Sequence, residues 1–116
     1  MDVATLKKQL EFRVRHVVVI RFNYRGKEIR HLKPNWHQGS LWQHTPDGKG
    51  SVFVQVMVAN KDVDAFKTIT TDDQSPDVLT MYGEVLRDSE RQNFIFVRLI
   101  GRNAKVNSDG GATITW

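Results

Sequence analysis

Cysteine is absent from this sequence of 116 residues. Without it the chain has no disulfide, no thiolate nucleophile and no cysteine-based zinc or iron–sulfur site. Long apolar runs are absent too, since runs such as residues 17–20 contain only four residues, whereas a membrane-spanning helix needs about 20 residues. We therefore expect no membrane span, and a fold that is stabilised by its hydrophobic core.

A secretory signal peptide is not apparent either, because Asp2, Lys7 and Lys8 interrupt the apolar residues of the first ten positions. We expect an intracellular protein, in the cytoplasm or another compartment. Apolar residues make up 40% of the chain and charged residues 26%, which is typical of globular domains and not of disordered chains. A chain of this length is expected to form one domain, residues 1–116.

The net charge of +4 is modest, but the charge is distributed unevenly along the chain. Residues 11–33 contain five Arg and two Lys against two Glu, and residues 91–116 contain four basic residues against one Asp. Residues 60–90 contain three basic residues against eight acidic ones. If the two basic segments are neighbours in space, they form a positive surface that attracts anionic partners.

The spacing of apolar residues predicts mainly strands. Residues 1–10 follow helical spacing behind a capping Asp2, which predicts a short N-terminal helix or lid. Apolar residues alternate with period two over residues 12–24, which predicts a long, bent strand. The turn-forming residues 45–50 predict a hairpin, and its second strand, 51–59, carries valines on one face that we expect in the core.

The second half of the chain predicts one helix and two or three strands. Asn60 is expected to cap a helix over residues 61–70, whose Val63, Phe66 and Ile69 are spaced to pack on a sheet. Residues 78–86 and 94–100 alternate as strands do, and residues 112–116 are a candidate for a short closing strand.

This order of elements resembles the OB-fold, a Greek-key barrel. The resemblance is carried by strand 12–24, the hairpin at Asp47 and Gly48, the helix 61–70 and the strand pair 79–85 and 94–98. It implies a mostly β fold (α+β) with one or two short helices. Residues 11–100 would form an OB-like barrel of five or six strands, and residues 101–116 a loop and closing strand. A β-grasp-like roll is the alternative architecture.

No motif for catalysis or metal binding is present. His16, His31, His37 and His44 lack the spacing of three or four residues that places two ligands on one helix face. The sequence also lacks a phosphate-binding glycine loop and a nucleophile elbow. We therefore predict a non-enzymatic protein with no catalytic residue, no metal site and no cofactor.

Basic and aromatic residues are concentrated in the first half of the chain. Arginine donates hydrogen bonds to phosphate in pairs, and aromatic rings stack on unpaired bases. If residues 12–24 form one strand, several arginines share one of its faces. The predicted nucleic-acid-binding residues are Arg13, Arg15, Arg21, Arg25, Lys27, Arg30, Trp36, Trp42 and Phe53.

Two functions fit this pattern. The first is a binding domain for single-stranded RNA or DNA. The second is a protein-interaction or homo-oligomerisation module, whose basic face meets another copy or an acidic protein. A structural interpretation of the same residues also stays open, because strands commonly present charged side chains to water and the tryptophans could close the core.

Overall fold

A computed structural model describes residues 1–91 and 93–116 of the chain. These residues form a mostly β fold of the α+β class, with short helical segments at two places. The helical segments are α1 Val3–Gln9, a 3₁₀ turn Leu10–Arg13, a 3₁₀ turn Asn60–Asp62 and α2 Val63–Lys67. The strands are β1 Val17–Phe22, β2 Tyr24–Arg25, β3 Arg30–Lys33, β4 Trp36–His44, β5 Ser51–Ala59, β6 Leu79–Arg87, β7 Ile95–Gly101, β8 Asn103–Val106 and β9 Ala112–Thr115.

Seven of these strands form one mixed sheet. Its order is β1-β6-β7-β5-β4-β2, and β3 pairs with β4. The β5–β7 pair is parallel, with Val56 opposite Val97, and the other pairs are antiparallel. β1 and β2 therefore lie at the two ends of the sheet although only Asn23 separates them in sequence.

The closed barrel expected from the sequence is not formed as a continuous hydrogen-bonded sheet. In residues 1–91 and 93–116, the path ends at β1 on one side and β2 on the other. The N-terminal residues lie beside β1 instead. Asp2 forms a bridge with Arg21, whose amide donates to the Met1 carbonyl at 2.8 Å. These bonds occupy backbone groups of β1 that a closing strand would use.

The core lies on the inner faces of the strands. Val54, Val56 and Val58 are buried, as the alternation of β5 predicted. β1 shows the same alternation, with Val18 and Ile20 buried between exposed neighbours. Because side chains alternate between the faces of a strand, each strand contributes every second residue to this core.

Helix α1 packs against the core. Val3 and Leu6 are fully buried, and the Ala4 amide donates to Oε1 of Gln43 at 3.2 Å. Asp2 caps the helix, since its Oδ1 accepts the Thr5 amide at 2.8 Å. The hydrogen bond to Gln43 therefore holds the first turn of the helix against β4.

The strand predicted over residues 12–24 begins later than expected. Leu10–Arg13 is a 3₁₀ turn, in which the Arg13 guanidinium donates to Oε1 of Gln9 at 2.9 Å. Arg15 then has a φ of +71°, which lies outside the range of a strand. The chain turns at this residue, so the strand starts only at Val17, and Phe12 is 78% exposed.

Two further predictions need correction in the second half of the chain. Helix α2 covers Val63–Lys67 only, and Asn60 does not cap it. Asn60 lies in the preceding 3₁₀ turn, and its Oδ1, the atom that would accept a helix amide, is 2.8 Å from Nδ1 of His37. The candidate closing strand exists as β9, but it pairs with β8 in a separate two-stranded hairpin and not with the main sheet. No helix in the part of the chain that the structure describes has the length and apolar character to cross a bilayer.

Candidate functional site

Three aromatic rings form a row across neighbouring strands. Tyr24 of β2 is opposite Trp42 of β4, which is opposite Phe53 of β5. Residues opposite one another in an antiparallel pair project from the same face. The rings of Tyr24 and Trp42 are 5.8 Å apart at 13°, and those of Trp42 and Phe53 are 4.6 Å apart at 25°. This set is called the aromatic row.

The aromatic row is held firmly at one end and is open at the other. Tyr24 is buried, and its hydroxyl donates to Oγ of Ser51 at 3.3 Å. The Trp42 indole N–H donates to Oγ of Ser40 at 2.8 Å, which fixes the ring plane. Phe53 is 37% exposed, so it is the member of the row that presents most of its ring to solvent.

Two shallow depressions meet beside Phe53. The apolar depression, about 210 Å³, is lined by Phe94 and Phe96 among others. The basic depression, about 270 Å³, is lined by Trp42 together with the loop after β2. Both depressions are also lined by Gln38, Phe53 and Gln55. The surface that these two adjoining depressions cover on the outer face of β4 and β5 is called the groove below.

The groove carries more positive than negative charge. Lys7, Lys27 and Arg30 line it, and Glu28 is the acidic residue among its lining side chains. The Nζ of Lys7 lies 5.2 Å from the centre of the Phe53 ring, a cation–π distance. Arg30 and Glu28 approach to 3.6 Å, but both are well exposed. Such a surface pair is weak, so Arg30 can exchange this partner for another anion.

The groove contains four of the nine predicted binding residues, namely Lys27, Arg30, Trp42 and Phe53. Trp36 lies at the start of β4, opposite Ala59, and is not among the residues that line the groove. Sequence reasoning missed five lining residues that matter for the chemistry: Lys7, Gln38, Gln55, Phe94 and Phe96. The sequence did indicate that Gln55 faces outward, because it lies between two valines of the predicted core face of β5 and side chains alternate along a strand.

Arg25 has a structural position and does not reach the groove. Its guanidinium is buried and donates to the carbonyls of Ile69 and Lys67, both at 3.2 Å, and of Gly26 at 3.1 Å. It also lies 5.6 Å from the Phe66 ring centre, and burial lowers the pKa of its guanidinium. The carbonyls at the end of α2 lack helical partners, and Arg25 supplies hydrogen bonds there. The guanidinium thus bonds to backbone carbonyls away from the groove, and the role of Arg25 in nucleic-acid binding stays a prediction.

The prediction that Arg13, Arg15, Arg21 and Arg25 share one face of one strand is wrong, because Arg25 lies in β2 and the other three are not all in β1. Arg13 lies in the 3₁₀ turn and bonds to Gln9. Arg15 lies in the turn before β1, and of the three only Arg21 lies within that strand. The structure therefore does not bring these three guanidinium groups together as one strand face would.

The histidines were expected to form no metal site. The rings of His31 and His37 stack at 4.7 Å across β3 and β4, and Nδ1 of His37 is 2.8 Å from Oδ1 of Asn60. Among residues 1–91 and 93–116, no group of three or more His, Cys, Asp and Glu side chains is arranged to hold a metal ion.

No protein-family model matches this chain, and no curated protein matches it.

Proposed function

We propose that the protein is a non-enzymatic domain that binds single-stranded nucleic acid in the groove. The observation that supports this most is the aromatic row, which is fixed at Tyr24 and open at Phe53, beside three exposed cationic side chains. Stacking of a base on an aromatic side chain contributes about 1–3 kcal/mol. Lys7, Lys27 and Arg30 line the same groove, where we propose that they bind the phosphates of a strand whose bases stack on the row.

The strand order supports an OB-like interpretation of the fold. We propose that β1 and β2 act as one bent strand, because Val17–Phe22 pairs with β6 and Tyr24–Arg25 pairs with β4. The helical segment lies between β5 and β6, and β5 is parallel to β7. OB-folds bind oligonucleotides and oligosaccharides on the face of their second and third strands. The corresponding face here is that of β4 and β5. Because a fold does not determine function, the aromatic row and the cations of the groove are the main support for the proposal.

The shape of the groove favours a single strand as ligand. Enclosed small-molecule sites usually have 300–1,000 Å³, whereas the two depressions measure about 210 and 270 Å³ and adjoin on an open face. A chain of nucleotides can lie across both. In a duplex the faces of the bases are covered by their neighbours, but in a single strand they are free to stack on Phe53 and Trp42.

The direct test is fluorescence anisotropy of labelled, mixed-sequence single-stranded RNA and DNA, with duplex DNA as the comparison. We expect the protein to bind single strands more tightly than duplex, with an affinity that falls as salt is raised. Absence of binding at low ionic strength, where electrostatic attraction is strongest, contradicts the proposal.

A protein-interaction or homo-oligomerisation module is the second candidate function. It is supported by exposed apolar side chains outside the groove: Phe12 is 78% exposed, and Val17 and Val19 of β1 are 53% and 41% exposed. Sedimentation equilibrium over a range of protein concentrations distinguishes the two functions. A stable dimer that does not bind oligonucleotides supports this second function, whereas a monomer that binds them supports the first.

A further inference from the structure

Strands β5 and β7 are neighbours in the sheet, but they are paired over only part of their length. β5 has nine residues and β7 has seven. In the part of the chain that the structure describes, two residues of each strand are opposite one another, among them Val56 and Val97. The apolar depression is lined by residues 53–57 of β5 and by residues 94–96 at the start of β7. It therefore lies where the two strands are adjacent but mostly unpaired.

Helix α1 and the 3₁₀ turn after it add two side chains to the apolar depression. Leu10 contributes apolar surface and packs in part against the core, and Lys7 is the charged residue among the lining side chains. The volume of about 210 Å³ is smaller than the 300–1,000 Å³ of a site that encloses a drug-sized ligand. The apolar depression therefore suits one flat ring system with a negative group beside it.

One face of the Phe53 ring is covered by Trp42, and the other is next to Lys7. The rings of Trp42 and Phe53 stack at 4.6 Å, and the Lys7 ammonium group lies over the Phe53 ring at 5.2 Å. A cation–π contact at an exposed site is weak, whereas stacking of a base on an aromatic ring is stronger. A base can therefore take the place of the ammonium group, which is then free to bind a phosphate.

We propose that the apolar depression receives one base of the bound strand, between Phe53 on one side and Phe94 and Phe96 on the other, in exchange for the Lys7 ammonium group. This inference rests on the proposed function. Phe94 and Phe96 stack on each other at 6.2 Å and line the same depression as Phe53, so both strands supply aromatic surface. Because every base has a π-face, the apolar depression accepts all bases alike.

The test compares two labelled single strands in fluorescence anisotropy. One is a mixed-sequence DNA oligonucleotide, and the other is an oligonucleotide of the same length and backbone charge in which every nucleotide is abasic. We expect the wild type to bind the strand with bases at least about five-fold more tightly, which is the effect of one stacked base.

The double variant Phe94→Leu, Phe96→Leu tests the aromatic side chains near β7. We expect it to reduce the ratio of the two affinities by about five-fold or more and to leave the affinity for the abasic strand unchanged, because no charge is altered. Phe12→Leu makes the same chemical change at an exposed residue that does not line the groove. This matched control should retain the ratio.

The variant Lys7→Gln tests the exchange of the ammonium group for a base. It removes a phosphate contact from both probes, but it also uncovers the Phe53 ring, which only the strand with bases can use. We therefore expect the affinity for the abasic strand to fall more than the affinity for the strand with bases. Equal losses overturn the exchange at Lys7.

The outcomes separate this inference from the proposed function. If the wild type binds both probes equally, insertion of a base is overturned while binding of single strands stands. If it binds neither probe, both are overturned. A ratio that persists in the double variant overturns the assignment to Phe94 and Phe96. If the melting temperature shows that the double variant does not fold, Phe94→Leu alone tests the same point, because Phe94 lies before the first residue of β7.

Discussion

Phe53 differs from its stacking partners in how much of its side chain solvent can reach. Tyr24 is anchored through Ser51 and Trp42 through Ser40, whereas Phe53 is 37% exposed and contacts only rings and the Lys7 ammonium group among the aromatic and cation–π pairs described. A substitution at Phe53 therefore affects the surface of the groove more than the folding of the chain.

We expect Phe53→Leu to lower the affinity for single-stranded oligonucleotides by about 5- to 100-fold, which corresponds to the loss of one stacking platform. Phe53→Trp should retain the affinity, because it preserves an aromatic face. Fluorescence anisotropy measures the effect. Val78→Ala, at a 66% exposed position away from the groove, is the control. Equal affinities of Phe53→Leu and the wild type place the stacking elsewhere.

Arg15 illustrates a residue whose backbone matters more than its charge. Its φ of +71° is in the left-handed region, which Asn tolerates and β-branched residues do not. We expect Arg15→Asn to retain the free energy of unfolding or raise it slightly, and Arg15→Val to lower it by about 1–2 kcal/mol. Urea denaturation measures both. Similar stabilities of the Asn and Val variants would show that the turn adopts another conformation.

At the scale of elements, helix α1 connects the N-terminus, the core and the groove. It buries Val3 and Leu6 and places Lys7 over Phe53. A seven-residue helix is marginal in isolation, so packing and the cap at Asp2 must stabilise it. Weakening α1 is therefore expected to affect both stability and the position of Lys7.

The cap gives a pH dependence whose sign follows from the hydrogen bonds. Bonds from the Thr5 side chain and the Thr5 amide lower the pKa of Asp2 below its ordinary value of 3.8. The contribution of the carboxylate is therefore fully present above pH 3.8 and is lost as the pH falls through the lowered pKa. We expect Asp2→Ala to lower the free energy of unfolding by about 1 kcal/mol at pH 7, with a smaller difference from the wild type at pH 2–3. Urea denaturation at several pH values checks this, and a difference that grows on acidification contradicts it.

The periodicity of the chain predicted strands well where one face is buried, as in β5 and in β1 from Val17 onward. The strand prediction failed at residues 12–16, because apolar and polar residues alternate there although the chain forms a 3₁₀ turn and a bend instead of a strand. The turn depends on contacts that periodicity does not report, such as the Arg15 amide donating to the Val85 carbonyl at 2.6 Å. Only some of the residues that line the groove were predicted from the sequence. Trp42 and Phe53 lie in regular strands, which periodicity reports. Lys7 reaches Phe53 only because α1 packs on the core, which periodicity does not report.

At the scale of the whole molecule, the net charge of +4 attracts any polyanion. Binding at the groove must therefore be distinguished from general electrostatic attraction to the protein surface. We expect Lys27→Gln, Arg30→Gln to reduce the slope of log affinity against log salt by about 1.4 for a single strand, from about 0.7 per lost phosphate contact. The control Arg15→Gln, Arg21→Gln removes the same charge outside the groove and should change the slope less. Equal changes in the two double variants indicate attraction to the overall charge and not to the groove.

Residues 17–25 form the strands at both ends of the sheet, and this arrangement affects the order in which the sheet folds. Phe22 pairs with Leu79 and Val17 with Glu84, separations of 57 and 67 residues, whereas His44 and Ser51 in the β4–β5 hairpin are only seven apart. Long loops lose more entropy on closure, so local pairs tend to form earlier.

We expect the hairpin to be present in the folding transition state and the β1–β6 ladder to form after it. In chevron measurements, Val56→Ala should then slow refolding, whereas Ile20→Val should mainly accelerate unfolding. The reverse pattern would mean that β1 and β6 meet first and that the hairpin assembles on them.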